Sequence, residues 1–174
     1  MNIGYKIVSV LLQYPTGELI EHVPEIRESV SAGAGPAIRD AVEPFLAYIE
    51  DTGLHALQEA YTRTFDLGTE TTLYMTYHLY GDHADRGMAL SDLNRRYRAS
   101  GYENFTSELP DFLPLMLEFF SVCDVRERMM LLARFEDGFS KLAVRLKEEA
   151  SPYETLISLI CAVERPLESA GERR

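Results

Sequence analysis

Apolar residues recur at helical spacing along almost the whole chain, and no two segments offer the alternation that would let strands pair with each other. The clearest stretch is 126–149, where Leu132, Phe135, Phe139, Leu142 and Leu146 follow one another at steps of three and four residues. Arg134, Glu136, Asp137, Lys141 and Arg145 hold the opposite face. This predicts an amphipathic helix of about six turns. Gly138 inside it costs about 1 kcal/mol relative to alanine and marks a close helix crossing. Ser151, Pro152 and Glu154 stand as N-cap, N1 and N3 of a capping box ahead of Leu156, Leu159, Ile160 and Val163. Earlier, Leu54, Leu57, Tyr61 and Phe65 line a helix starting near Gly53, and Ile38, Val42, Phe45, Leu46 and Ile49 line another after the break SAGAGP, with Pro24 and Pro44 setting starts or kinks near them. TTLYMTYHLY at 71–80 alternates like a strand, but a lone strand leaves its backbone groups unpaired, so it is assigned to helix. The expectation is an all-α, single-domain helical bundle of about eight to nine helices over residues 1–165, with a polar tail at 166–174 that frays.

A chain of 174 residues that is 46% hydrophobic suits one core. No apolar run reaches the roughly 18 residues of a membrane span. Lys6 followed by IVSVLL is too short for a signal peptide, and Gln13, Tyr14 and Pro15 stand where small cleavage-site residues belong, so this is read as the first helix of a cytoplasmic protein. The net charge of −11 speaks against nucleic acid or anionic lipid and favours a cationic partner. RRYR at 95–98, on a helix with Leu93 and Tyr97 facing in, is a solvated face. Cys123 and Cys161 form no CxxC and are expected as core thiols. No HExxH, GxSxG or phosphate-cradling glycine loop occurs. The densest set of metal-ligand types is His78, Asp82, His83 and Asp85, which allows a metal-dependent enzyme. The structural reading of the same residues has Gly81 ending one helix, Asp82 capping the next and Asp85 at its N3 position.

The segment ELPDFLPLMLEFF at 108–120 places Asp111 as N-cap, with Phe112, Leu113 and Pro114 at N1 to N3 and Pro110 just outside. Leu113, Met116, Leu117 and Phe120 then point one way, with Leu115 and Phe119 beside them. A helix this apolar is either central to the core or offers one side to a partner.

YTRTFDL at 61–67, LYMTYHLYGD at 73–82, RGMAL at 86–90, YRASGYE at 97–103 and ELPDFLPLMLEF at 108–119 resemble successive segments of the NarJ-type nitrate reductase assembly chaperones, within the wider group of redox-enzyme maturation proteins. The resemblance implies an all-helical cytoplasmic protein without catalytic activity. Its partner would be the apo catalytic subunit of a nitrate reductase or related molybdoenzyme, bound through its N-terminal peptide. The molybdopterin guanine dinucleotide would belong to that client, no cofactor being held stably by the chaperone, which would be a monomer or weak homodimer. The motif positions carried over are Phe65, Asp66, Tyr74, Tyr77, Asp82, Arg86, Gly87, Glu108, Pro110, Asp111, Pro114 and Glu118. Phe112 departs from the family, whose members often have histidine there, and so does GTETT at 68–72. Residue pattern and resemblance together predict a groove lined by Tyr61, Phe65, Tyr74, Tyr77, Leu113, Met116, Leu117 and Phe120, with Asp66, Asp82, Asp111 and Glu118 meeting basic residues of the client and Arg86 and Glu108 nearby. Met116, Met129 and Met130 would let it adapt. A permanent subunit of a membrane oxidoreductase is the other non-catalytic alternative.

Overall fold

The computed structural model describes the backbone of residues 2–162 and the side chains of residues 2–160. The predicted domain end at 165, the tail and the Cys161 side chain lie outside the described residues. Within them the chain forms α1 (Ile3–Leu11), α2 (Gly17–Glu21), α3 (Val23–Gly33), α4 (Pro36–Asp51), α5 (Leu54–Tyr61), α6 (Met75–Tyr80), α7 (Asp85–Ala99), α8 (Leu113–Val122), α9 (Val125–Glu148) and α10 (Glu154–Ala162). These ten α-helices exceed the expected number because short ones such as α2 and α6 carry no long apolar period of their own.

At the centre lies α8, buried at Leu113, Pro114, Leu115, Met116, Leu117, Phe119, Phe120 and Ser121. The first helix packs along it: Ser9 Oγ donates to the Pro114 carbonyl at 2.7 Å and the Tyr5 ring stands edge-on to Phe120 at 5.8 Å. The long α9 crosses α6 and α10. Its glycine is the contact point, since a Cβ on Gly138 would sit 3.2 Å from Met75 Cε and 3.5 Å from His78 Cβ, which agrees with the predicted close crossing. Leu131, Phe135, Phe139, Leu142 and Leu146 face the core, Leu132 only in part. Leu93 and Tyr97 of α7 point inward as expected, while Arg96 bonds Asp92 and Glu127, and Arg134 reaches Asp92 from α9 at 2.6 Å. Pro24 sits in the first turn of α3, and Pro44 lies inside α4. Cys123 is half-buried.

Four local expectations change. The capping box before α10 does not close: Ser151 N–H donates to Leu146 O at 2.8 Å to finish α9, so the donor that Glu154 would have met is occupied. Glu154 instead accepts from Ser158 Oγ at 2.6 Å, and α10 starts at Glu154. After Tyr61 the helix widens into a π-helical turn, Thr62–Asp66, closed by Leu67 N–H on Thr62 O at 3.0 Å. The wider turn lets Thr64 and Phe65 both face inward and leaves Asp66 outside. Of 71–80, only Met75–Tyr80 is helical, and Tyr74 forms an isolated antiparallel bridge with Phe112. Gly81 ends α6 at φ 53°, a conformation that favours glycine. Asp82, however, stays exposed and caps nothing, because α7 begins later, with Ala84 as N-cap and Asp85 as its first residue.

Candidate functional site

The chain turns at Leu12 and Gln13 where α1 ends, and Tyr14, the π-helical turn, residues 72–74 and the loop before α8 come together. Between them lies a cleft of about 400 Å³. Its aromatic surface is Tyr14, Tyr61, Phe65, Tyr74 and Phe112; Leu73, Pro114 and Leu115 add aliphatic surface; Asp66, Glu108 and Glu118 supply carboxylates. A second hollow of about 240 Å³ shares Phe65, Asp66, Thr72 and Tyr74 with the first and adds Tyr77 and Arg86. Together they form a trough with Tyr74 and Asp66 at its waist.

The rings are held from behind. Tyr61 meets Tyr14 edge-on at 5.4 Å and Phe65 at 4.9 Å, while Phe65 rests against Tyr153, just ahead of α10, at 4.7 Å. Tyr61 donates its hydroxyl to Leu12 O at 3.2 Å, and burial raises its phenol above the ordinary range. The Tyr74 ring lies against Phe112 at 5.5 Å and its hydroxyl donates to Glu108 at 2.6 Å; burial, with that acceptor, pushes the phenol up to about 12. Glu118 is paired with Lys6 at 2.6 Å and accepts from Tyr102 at 3.2 Å. Asp66 is exposed. The trough therefore presents net negative charge to an occupant.

Several predicted residues lie elsewhere. Leu113, Met116, Leu117 and Phe120 are each 0% exposed, so they form the core beneath the cleft and line no surface. The helix offers the cleft its other face, Pro114, Leu115 and Glu118, and the apolar pattern alone gave no sign of which face this would be. Asp82 is exposed and borders neither hollow. Asp111 is also 0% exposed and caps a helix other than its own. Its Oδ2 accepts from the Thr76 N–H at 3.0 Å and from the Thr76 hydroxyl, at the start of α6, and its carbonyl accepts from Met75 N–H at 3.0 Å. Leu113 N–H is taken by Leu73 O at 2.8 Å, which draws Phe112 into the bridge and makes it the N-cap of α8 in place of Asp111. Arg86 faces the same carboxylate at 4.0 Å, donates to Thr76 Oγ1 at 3.0 Å and lies 5.7 Å from the Tyr77 ring centroid. Sequence reasoning missed Gln13, Tyr14, Thr106, Ser107 and Phe112 as lining residues. The only local signal was the departure noted at Phe112.

The metal reading fails on geometry. His78 turns inward, its Nε2 2.8 Å from Thr72 O, while His83 stands exposed beside Asp85 at 3.1 Å. Among the described residues no group of three or more His, Cys, Asp or Glu is placed to hold a metal. Burial lowers the His78 imidazole below its ordinary value, the Thr72 carbonyl opposing, Lys141 adding to the shift and Asp111 opposing it. The unfolded chain thus takes up this proton first. The His78 contribution to stability is complete above the ordinary imidazole value of about 6.5 and is lost as pH falls through the lower, folded value. The melting temperature of the protein is expected to fall more between about pH 7.5 and 5.5 than that of His78→Gln; equal falls in the two proteins would remove this role.

Helices, around a trough of aromatic rings edged by carboxylates, define the class among the described residues as an all-α domain with one face opened into a cleft. A solved redox enzyme maturation protein from Archaeoglobus fulgidus shares that fold at TM-score 0.66, with 22% identity over 91% of this chain and 90% of that one. The chain belongs to the nitrate reductase delta subunit family, whose model matches residues 32–157. It is 32% identical over 172 residues to the "Probable nitrate reductase molybdenum cofactor assembly chaperone NarJ" of Bacillus subtilis, covering 99% of this chain and 92% of that protein. It is 33% identical over 156 residues to the nitrate reductase molybdenum cofactor assembly chaperone NarJ of Escherichia coli K12, covering 88% of this chain and 66% of that relative. Among the described residues no helix is long and apolar enough to cross a membrane.

Proposed function

We propose that this protein is an assembly chaperone that binds the N-terminal segment of the apo catalytic subunit of a nitrate reductase or related molybdoenzyme, in the cytoplasm, and keeps that subunit competent for insertion of its molybdenum cofactor. The molybdopterin guanine dinucleotide is the client's cargo and is not held stably here; the chaperone works as a monomer or weak homodimer. The observation that carries this reading is the trough itself, with Tyr61, Phe65, Tyr74 and Leu115 offering apolar contact and Asp66, Glu108 and Glu118 offering negative charge. An amphipathic helix with apolar anchors and flanking Lys or Arg matches both properties. Three anchors at roughly 1.5 to 3 kcal/mol each supply part of the binding energy against the costs of association and ordering, and charge pairing with the carboxylates adds to it.

Titration calorimetry with a synthetic peptide of the cognate catalytic subunit's N-terminal segment tests it. Asp66 is exposed and borders both hollows, so Asp66→Lys is expected to melt like the parent and to bind about tenfold or more weakly. Absence of binding by the parent protein would defeat the proposed function.

A further inference from the structure

Between Tyr102 and Glu108 the chain runs as a loop along one edge of the cleft, with Thr106, Ser107 and Glu108 lining it. At the tip stands Phe105, 89% exposed, more than any other large apolar side chain among the described residues. A ring of this size in water forgoes the burial that phenylalanines ordinarily gain. The polar contacts of the loop hold it there. Asn104 Oδ1 accepts from Thr106 N–H at 2.9 Å and from Thr106 Oγ1 at 2.7 Å, and Asn104 Nδ2 donates to Glu108 O at 3.0 Å. Glu108 N–H returns to Thr106 Oγ1 at 3.3 Å. Both ends are anchored, Tyr102 N–H on Tyr97 O at 2.8 Å and the Glu108 carboxylate on the Tyr74 hydroxyl at 2.6 Å. On the wall that carries Asp66, Leu67 is likewise 76% exposed.

We infer that Phe105 is an aromatic anchor for the client segment: the part of that segment that leaves the cleft across the 103–108 loop packs an apolar side chain on the Phe105 ring. This rests on the proposed function and adds a contact outside the two hollows. Continuity with the cleft argues for this occupant, because the three residues that follow Phe105 already line it. Charge argues for its chemistry. Glu103 and Glu108 stand on either side of Phe105 in the sequence of a chain of net charge −11, so Lys or Arg suits the residues beside the apolar one. A loop held by its own hydrogen bonds lowers the ordering cost of binding through the ring it carries.

The test compares Phe105→Ala and Phe105→Trp with the parent in titrations with the same synthetic N-terminal peptide, alongside urea unfolding and size-exclusion chromatography. Because the ring touches water on nearly all sides, neither substitution is expected to move the unfolding midpoint. Phe105→Ala is expected to bind about tenfold more weakly and Phe105→Trp to restore affinity. Parent-like affinity of Phe105→Ala, with the parent binding normally, overturns the anchor and leaves the proposed function standing. The anchor falls equally if Phe105→Ala changes only self-association. A parent protein that does not bind the peptide overturns both.

Discussion

Leu117→Asp is expected to unfold the domain rather than to blunt its cleft. Leu117 is 0% exposed in a helix surrounded by α1 and the core, so its removal alone costs about 2–5 kcal/mol. An ionised carboxylate at that place, with no partner, adds a desolvation penalty of several kcal/mol. The sum is comparable with the roughly 5–15 kcal/mol that holds a domain of this size together. Circular dichroism and urea unfolding of Leu117→Ala and Leu117→Asp should show a destabilised but folded protein in the first case and lost helical signal in the second. A Leu117→Asp protein that melted like its parent and failed only in peptide binding would place this residue on the surface and contradict the packing described above.

Asp111→Ala should carry the next largest effect. The buried carboxylate caps α6 through the Thr76 N–H and hydroxyl and faces the Arg86 guanidinium. Its loss leaves the Thr76 N–H and hydroxyl without their acceptor and removes the negative charge that faces Arg86, at about 3 kcal/mol. Asp111→Asn keeps an oxygen for the Thr76 N–H and should cost less than half as much. The urea midpoint should drop while the slope stays constant, since the unfolded surface is unchanged. Binding should weaken too, because Arg86 and Tyr77, which line the second hollow, take their places from this carboxylate. If Asp111→Ala proved as stable as the parent, the tertiary cap would be of no energetic consequence.

These two residues also mark how far the sequence could be read. Helices were legible wherever one face is apolar and the other charged, as in α9 with Phe135, Phe139, Leu142 and Leu146 against Arg134, Glu136 and Lys141, because burial and solvation impose opposite demands on the two sides. For α8 that contrast is missing. When nearly every side of a helix is buried, the pattern cannot say which apolar residues reach a cleft, and the periodicity pointed to Leu113, Met116, Leu117 and Phe120 where Pro114 and Leu115 hold the position. Asp111 looked like a local cap since caps are ordinarily local, whereas its partner Thr76 lies 35 residues away. TTLYMTYHLY was ambiguous for a physical reason as well: its first part pairs briefly with Phe112 and its second part is helical, so both signals were real. By contrast Tyr61, Phe65, Asp66, Tyr74, Glu108 and Glu118 do meet in one trough, and Tyr77 and Arg86 meet in its extension.

The short backbone pairing between residues 73–75 and 111–113 has one more effect. Leu73 and Phe112, neighbours in the lining of the trough, are stitched together by Leu113 N–H on Leu73 O and Met75 N–H on Asp111 O, so these two strips of the lining cannot part without tearing main-chain bonds. That part of the lining is thus a fixed gauge rather than a jaw, and any widening of the opening has to come from the segments that do not share the pairing.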